Sequence, residues 1–194
     1  MNILVTGSNG FIAKNLIQFL SEQNDINILC FNRHSTEDDL KDAVIKADWI
    51  IHLAGVNRPL KEQEFVEGNI TLTQKIADLL KEHNKKTPII LSSSIQAEQD
   101  NAYGQSKLGG EQVLIDLNNN QGNPVYICRL ANVFGKWSRP NYNSAVATFC
   151  HNIANDLPIQ INNPDAVIRL VYIDNVVETF WQMIKGHYSP EQYF

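Results

Sequence analysis

A short apolar run followed at once by a turn of small residues opens the chain. Ile3 to Val5 forms the run, and Gly7, Gly10 and Ala13 follow it at intervals of three. Gly7 permits a tight turn off a buried strand, Gly10 lets the backbone approach a ligand closely, and a small residue at 13 lets the next helix pack against the sheet. This order predicts a dinucleotide-binding turn, in which free amides at the helix start bind phosphate.

Apolar, strand-like runs alternate with amphipathic helical patterns along the whole chain. Strands that are apolar throughout are covered on both faces, as in a parallel sheet, and right-handed crossovers then give the doubly wound α/β (Rossmann) fold. The longest helical pattern runs from about Lys61 to His83, and a late strand is predicted over Val167 to Tyr172. The stretch from Gly135 to Pro164 is predicted to form part of a substrate-facing lobe. We expect one domain over residues 1–194.

The turn at the end of the second predicted strand distinguishes between two cofactors. NAD sites usually place a carboxylate there, whereas this chain has Asn32-Arg33-His34. A guanidinium group that could bind a 2′-phosphate favours NADPH over NAD, although Arg33 could equally be a solvated loop residue. The candidate cofactor-binding residues are Gly7, Asn9, Gly10, Phe11, Ile12, Arg33, Leu53, Ala54, Gly55, Asn69, Ser92, Tyr103 and Lys107.

A second motif follows the fourth predicted strand, where Ser92-Ser93-Ser94 precedes Tyr103 and Lys107. The last two residues are four apart on a predicted helix and share one face. A free tyrosine has a pKa near 10, and a nearby ammonium group is expected to lower it. A serine at the strand end would hold the substrate oxygen; both Ser93 and Ser94 are candidates, with Ser94 favoured. The pattern predicts that Tyr103 donates a proton while hydride reaches a carbonyl carbon.

Composition excludes several other classes of function. The net charge is −5 and no basic stripe is present, which argues against nucleic-acid binding. No apolar run approaches the roughly 20 residues that span a membrane. Cys30, Cys128 and Cys150 form no CxxC pair, so neither a metal site nor a disulfide framework is predicted. Cys30 and Cys128 lie in strand-like runs and are expected to be buried, reduced thiols, which favours a cytoplasmic location.

At these motifs the chain resembles the extended short-chain dehydrogenase/reductases, the nucleotide-sugar epimerase/dehydratase group. The resemblance covers essentially the whole chain. It implies a Rossmann sheet with a sugar-nucleotide-binding lobe, a nicotinamide cofactor and a homodimer formed through the helices after the third and fourth strands. The segments that carry it are Thr6-Gly7, Asp48 to Gly55, Gly68 to Thr71, Arg129 to Gly135 and Val171 to Val176.

Further segments resemble the capsule-sugar reductases of the CapF family, namely 54–59, 91–97, 134–137 and 140–144. This resemblance implies NADPH-dependent reduction of the 4-keto group of a UDP-2-acetamido-2,6-dideoxy-hexulose, on the way to UDP-N-acetyl-L-fucosamine for capsular or O-antigen polysaccharide. Tyr103 and Lys107 match the reductase motif. In that family a metal-binding cupin domain follows and epimerises C3. Nothing here resembles a cupin, so we expect a chain truncated at its C-terminus, with a partial sugar-nucleotide lobe and no epimerisation.

Polar residues after the third, fifth and late strands are candidates for binding the sugar nucleotide. By resemblance, Asn132 lies where the extended family places a substrate contact. Positive side chains nearby could offset the charge of a pyrophosphate, although each could also be a surface charge. The candidates are Asn57, Arg58, Asn132, Lys136 and Arg169.

Two other functions stay open. One is an epimerase or dehydratase that keeps NAD(P) tightly bound, and the other is a non-catalytic nucleotide-binding scaffold. A dehydratase would place an acidic residue near the serine run, where Glu98 and Asp100 are close in sequence but offset. A pure binding protein has no need of a proton donor, so the pairing of Tyr103 with Lys107 argues against a scaffold.

Overall fold

A five-stranded parallel sheet forms the centre of the molecule, in the order β2-β1-β3-β4-β5. The computed structural model describes residues 1–59, 61 and 63–190. Because the strand order reverses beside β1, the crossovers lie on both faces of the sheet, which confirms the doubly wound fold. The strands are β1 Asn2–Thr6, β2 Asn27–Phe31, β3 Trp49–His52, β4 Ile89–Ser94 and β5 Val125–Leu130.

Helices connect these strands, and a pair of short strands leaves the main sheet. β6 Asn132–Phe134 pairs only with β7 Leu170–Tyr172, again in parallel. No helix in the described part of the chain is long and apolar enough to cross a bilayer. The helices are α1 Phe11–Ser21, α2 Glu37–Lys46, α3 Gln63–Val66, α4 Leu72–Glu82, α5 Ala102–Gln121, α6 Ala145–Ala154 and α7 Ile173–Ile184, with a π-helical turn at Glu67–Thr71 and a 3₁₀ turn at Ile95–Glu98.

Successive side chains of each strand point to opposite faces of the sheet, so the core consists of two layers. Ile3 and Val5 on β1 face the layer that contains Phe180 of α7, while Leu4 between them faces the layer that contains Leu114 of α5. All five side chains are fully buried. Since both faces of the sheet are covered, the strands read as continuous apolar runs, which is why the sequence pattern predicted a parallel sheet.

Side-chain caps fix the start of three helices, α2, α5 and α6. The Asn101 carboxamide accepts the Gly104 amide at 2.8 Å and so begins α5 one residue before Ala102. Thr36 and Asp39 form a reciprocal capping box at the start of α2. The cap on α5 fixes the start of the helix that carries the Tyr-x-x-x-Lys motif.

Three predictions from the pattern are changed by the structure. The helix predicted over 61–83 is confirmed from Gln63 to Glu82, but a π-helical turn interrupts it, and position 62 lies outside the described residues. The late strand begins only at Leu170, leaving Arg169 just before it. The expected burial of Cys30 is wrong: the residue is exposed, because β2 is an edge strand with less cover, whereas Cys128 is buried as expected.

Gly7 combines a left-handed backbone conformation with a close contact to backbone atoms of another strand end. Its φ is +66°, and a Cβ there would lie 2.8 Å from the Cα and amide nitrogen of Ala54. Gly186 has a similar φ of +78° but open space around it. We expect Gly7→Ala to lower the free energy of unfolding by about 3 kcal/mol, since strain and overpacking add, and Gly186→Ala by about 1 kcal/mol from strain alone. Urea unfolding measures both; equal losses would show that the contact with Ala54 costs nothing.

Candidate active site

The predicted dinucleotide turn lies where the strand order reverses. The close approach of Gly7 to Leu53 and Ala54 brings the end of β1 against the end of β3 at the carboxyl edge of the sheet. Open α/β sheets bind their ligands in the crevice at such a point. The first four predicted cofactor residues after Gly7 follow directly: Asn9 and Gly10 are exposed, and Phe11 and Ile12 are half-buried.

The start of α1 is suited to an anion. Gly10 precedes the helix in an extended conformation, and no side chain caps it. The Gly10 amide itself closes the turn by donating to the Gly7 carbonyl at 2.8 Å. The amides of the first helical turn therefore have no intrahelical or capping acceptor and point towards the crevice. This arrangement fits a pyrophosphate group.

Arg33 lies at the same edge of the sheet as this turn. β2 runs beside β1, with Phe31 opposite Thr6, and the Ser8 amide donates to the Phe31 carbonyl at 3.2 Å. Arg33 is exposed two residues further on. The guanidinium group is thus on the edge where the ribose end of a dinucleotide would lie.

A buried chain of hydrogen bonds ties the ends of β1, β3 and α4 together. The Thr6 hydroxyl accepts the Ala54 amide at 3.1 Å and bonds His52 Nδ1 at 2.6 Å. On the other side of the ring, His52 Nε2 bonds the Thr73 hydroxyl at 2.9 Å, and Thr73 donates to the Asn69 carbonyl at 2.8 Å. Each hydroxyl has one proton to donate, so Thr6 donates to Nδ1 and Nε2 donates to Thr73. The network therefore fixes a neutral imidazole with its proton on Nε2.

His52 is kept neutral by its surroundings. Burial and, to a smaller extent, the charge of Lys107 together lower the pKa of His52 to about 3. An imidazolium would need an acceptor on both ring nitrogens, and the described network provides one only at Nε2. His52 thus supports the Leu53–Gly55 segment as a neutral hydrogen-bonding spacer.

Asn69 belongs to the π-helical turn and holds the segment after β3. Its carboxamide accepts the Val56 amide at 2.9 Å, and its two amide protons go to the Val56 carbonyl and the Ser106 hydroxyl, each at 2.9 Å. The side chain is almost completely buried. The direct cofactor contact predicted for Asn69 stays a prediction; the contacts seen are within the protein and position Gly55, whose absent Cβ would lie 2.7 Å from Asn69 Oδ1.

Tyr103 and Ser94 meet at the start of α5. A hydrogen bond from the Ser94 side chain reaches Tyr103, and the Tyr103 ring packs against Phe65 with centroids 5.7 Å apart. Burial raises the pKa of Tyr103, and the bond from Ser94 only partly offsets this. The lowering predicted from Lys107 is therefore wrong for this structure, because desolvation of the phenol outweighs the hydrogen bond from Ser94, which is what opposes it.

Lys107 is buried one turn further along α5. Its ammonium group donates to the Ser92 carbonyl at 2.7 Å. A Cβ on Gly55 would lie 3.5 Å from the same Nζ, so the predicted cofactor segment and the lysine are neighbours. Burial lowers the pKa of Lys107 to about 8, and the Glu111 carboxylate acts in the opposite direction. Lys107 is thus still mostly an ammonium at neutral pH.

The three consecutive serines have different environments. Ser92 offers its carbonyl to Lys107, the Ser93 hydroxyl donates to the Glu111 carboxylate, and Ser94 turns to Tyr103. Ser93 and Ser94 point to opposite faces because successive residues of a strand alternate. The structure therefore places Ser94, and not Ser93, beside Tyr103.

Two of the predicted substrate residues join a group of side chains on two loops. The Tyr142 hydroxyl donates to Asn57 Oδ1 at 3.1 Å. The guanidinium carbons of Arg58 and Arg139 each lie 5.5 Å from the centre of the Tyr142 ring. One tyrosine thus connects the loop after β3 with the loop before α6 and holds two cations beside it.

The other three predicted substrate residues lie apart from this group. Asn132 donates through its amide to the Arg169 carbonyl at 3.1 Å, across the β6–β7 pair. Lys136 lies over the ring of Trp137, with Nζ 4.2 Å from its centre. The Lys136 carbonyl accepts the Asn15 carboxamide of α1 at 2.9 Å, which fixes this loop close to the dinucleotide turn.

Sequence reasoning missed His52, Tyr142 and Glu111. For Glu111 a signal was present, since Tyr103, Lys107 and Glu111 recur every fourth residue and therefore share one face of α5. His52 stands in an otherwise apolar strand, which is a weaker signal. The position of Tyr142 depends on a loop and could not be read from spacing.

Comparison with known proteins agrees with this arrangement. The sequence profile of the NAD dependent epimerase/dehydratase family matches residues 3–193. The chain belongs to this family. As a family member it is assigned a nicotinamide cofactor, for which the residues of the β1–α1 turn are suited.

Two relatives within the epimerase/dehydratase family are similar over nearly the whole chain. UDP-2-acetamido-2,6-beta-L-arabino-hexul-4-ose reductase from Pseudomonas aeruginosa is 52% identical over 189 residues, which are 97% of this chain and 51% of that protein. The crystal structure of the capsular polysaccharide assembling protein CapF from Staphylococcus aureus superposes with a TM-score of 0.86 and 47% identity, covering 96% of this chain and 50% of that one. The chain thus spans about half the length of these proteins.

A more distant member shows the same fold. UDP-glucuronic acid 4-epimerase from Bacillus cereus, solved with UDP-glucuronic acid and NAD, superposes with a TM-score of 0.87 at 20% identity, covering 100% of this chain and 76% of that one. At this identity the likeness extends to the doubly wound sheet and its flanking helices.

The neutral His52 makes the free energy of unfolding of this protein dependent on pH. An unfolded histidine, with a pKa of about 6.5, takes up a proton that the folded protein excludes until about pH 3, so stability is lost as the pH falls below 6.5. Between pH 7 and 5 we expect His52 to contribute a loss of about 2 kcal/mol, which His52→Gln removes. Urea unfolding at both pH values measures this. His151→Gln, at an exposed position, is the control and should lose as much as the wild type.

Proposed function

We propose that this chain is the reductase part of an enzyme that uses NADPH to reduce the 4-keto group of a UDP-2-acetamido-2,6-dideoxy-hexulose. The observation that carries the proposal is the convergence of Tyr103, Ser94 and Lys107 beside the dinucleotide turn. Similarity to the Pseudomonas UDP-sugar reductase supports the substrate class, and similarity to the capsular polysaccharide assembling protein CapF supports a place in capsular polysaccharide assembly.

The side chains of the site have separate roles in this reaction. A bound reduced nicotinamide supplies the hydride that the carbonyl carbon receives. Tyr103 donates its O–H proton to the carbonyl oxygen, and Ser94 hydrogen-bonds the same oxygen and orients it. Lys107, one turn along α5, stabilises the phenolate that remains and hydrogen-bonds the ribose of the cofactor.

The protonation states suit reduction. A proton donor must carry its proton at working pH, and burial raises the pKa of Tyr103, so the phenol stays protonated. The Lys107 pKa of about 8 keeps most of this side chain charged at pH 7. Reduction is then expected to slow above pH 8, where the ammonium group is lost.

The acidic residues near the serine run are engaged elsewhere, which favours a reductase over a dehydratase. Glu98 forms an ion pair with Arg129 at 3.0 Å. Asp100 accepts a hydrogen bond from Gln105 at 3.3 Å on the surface. Neither carboxylate is bonded to Tyr103 or Ser94, where a dehydratase would use it.

We assign the sugar nucleotide to the crevice between the loops after β3 and β6. Arg58 and Arg139 both lie near the Tyr142 ring and bring two positive charges to it, which suits the diphosphate of a UDP-sugar. Asn57, on the same tyrosine, is placed to bond the sugar. Asn132, Lys136 and Arg169 complete the proposed set at the β6–β7 side.

Removing the Tyr103 hydroxyl is the sharpest test of the proposed reaction. We expect Tyr103→Phe to lower kcat by about 10²- to 10⁴-fold, since a general acid contributes that much, while the Kd for NADPH changes less than about twofold. NADPH oxidation with the 4-keto UDP-sugar gives kcat, and nicotinamide fluorescence gives Kd. Tyr126→Phe, far from the site on β5, is the matched control. Parallel loss of turnover and cofactor affinity would remove Tyr103 from its assigned role.

The preference for NADPH is tested by titration with each cofactor. We expect tighter binding of NADPH than of NADH, and a Kd for NADPH about ten- to a hundredfold higher in Arg33→Ala, the value of a charge-assisted hydrogen bond to a phosphate. Binding of NADH should be unchanged in that variant. Lys41→Ala, which removes an exposed cation on α2, controls for net charge. Preference of the wild type for NADH would contradict the role of Arg33 and favour an epimerase that retains NAD.

A further inference from the structure

A buried ion pair lies behind the Tyr103–Lys107 pair, and the proposed reaction does not use it directly. Glu111 follows Lys107 by one turn of α5, and its side chain is completely buried. Arg129 of β5 donates to both carboxylate oxygens, at 3.0 Å from Nε to Oε1 and 2.6 Å from Nη2 to Oε2. The Ser93 hydroxyl donates to Oε1 as well.

These bonds fix Glu111 as a carboxylate. A buried charge is strongly unfavourable unless partners satisfy it, and here a bidentate guanidinium and a hydroxyl do so. A packed apolar side chain would fill this position without that desolvation penalty. The pair therefore does something other than stabilise the core.

The groups around Lys107 show what this charge does. From β3, Lys107 faces the neutral His52; from β4 it faces the Ser92 carbonyl; from the π-helical turn it faces Asn69 across Gly55. On its own helix it has the neutral phenol of Tyr103 on one side and Glu111 on the other.

Charged groups also lie beyond this ring of neighbours. Arg129 of β5 is shared between Glu111 and the exposed Glu98. Of these two carboxylates, Glu111 is the buried one. It is also the charge that opposes the effect of burial on the pKa of Lys107.

We propose that Glu111, held by Ser93 and Arg129, is a positioning residue that keeps Lys107 protonated and so sets the upper pH limit of the site. As far as turnover is concerned, this inference rests on the proposed function. It also assigns a role to Ser93, which orients the Glu111 carboxylate while Ser94 hydrogen-bonds Tyr103.

The charge state of Lys107 can be measured without any substrate. Above its folded-state pKa, a lysine with a depressed pKa has lost its proton in the folded protein but keeps it in the unfolded chain. The free energy of unfolding therefore rises with pH above the folded-state pKa. Lys107→Met lacks this rise. Urea unfolding between pH 6 and 10 gives the free energy of unfolding of the wild type and of Lys107→Met. The difference between these two free energies should begin to rise near pH 8, the folded-state pKa of Lys107.

Glu111→Gln keeps the shape of the side chain and removes its charge. We expect the rise in the free energy of unfolding to begin about one pH unit lower in Glu111→Gln, because loss of a nearby opposite charge lowers the pKa of a lysine. Asp116→Asn removes an exposed carboxylate from the same helix and should leave the onset unchanged. If Glu111→Gln does not fold, Glu111→Gln combined with Arg129→Gln removes both members of the buried pair and should show a smaller shift in the same direction, because the opposing charge of Arg129 is lost as well. An onset unchanged in the folded variant would overturn the inference.

Turnover separates this inference from the proposed function. The fall of kcat/KM for the 4-keto UDP-sugar at high pH should move down by the same amount in Glu111→Gln, with Glu111→Asp restoring it toward wild type. A shifted stability onset with no turnover in the wild type would contradict the proposed function alone. Normal turnover with both the stability onset and the pH profile unshifted would contradict the role of Glu111 alone.

Discussion

One buried ammonium group governs the construction of the site. Lys107 lies under the carboxyl edge of the sheet, where an unpaired charge would be strongly unfavourable. The Ser92 carbonyl and the Glu111 carboxylate compensate it, and Gly55 lies beside it. Burial, with a smaller contribution from the charge of Lys107, holds the neighbouring His52 as a neutral ring by lowering its pKa.

The dinucleotide turn and the proton-transfer residues are mechanically connected. Gly7 packs on the backbone of Ala54, whose amide is held by Thr6, and Thr6 in turn bonds His52. The chain of hydrogen bonds continues through Thr73 to the π-helical turn, where Asn69 holds the segment after β3 against α5. A cofactor seated on the turn would therefore meet side chains whose positions depend on the same buried network.

The substrate side of the site is built differently. Here the contacts are exposed and join loops: Tyr142 with Asn57 and the two arginines, and Asn132 with Arg169 across a two-stranded pair. Regular elements thus carry the residues that we propose for catalysis, and loops carry most of the groups that we assign to the sugar nucleotide. This division is the usual one in folds where many substrates share one reaction.

The sequence by itself determined the doubly wound fold, the turn after β1 and the shared face of Tyr103 and Lys107. Each depends on local order: apolar runs, small residues at fixed intervals, or a spacing of four on a helix. The tertiary structure alone decided that Ser93 faces Glu111 and Ser94 faces Tyr103, that Tyr103 has a raised pKa, that Asn69 is buried, and that Cys30 on edge strand β2 is exposed. The physical reason is that burial, the face of a strand residue and the charge beside a group depend on elements distant in sequence, and local spacing does not specify them.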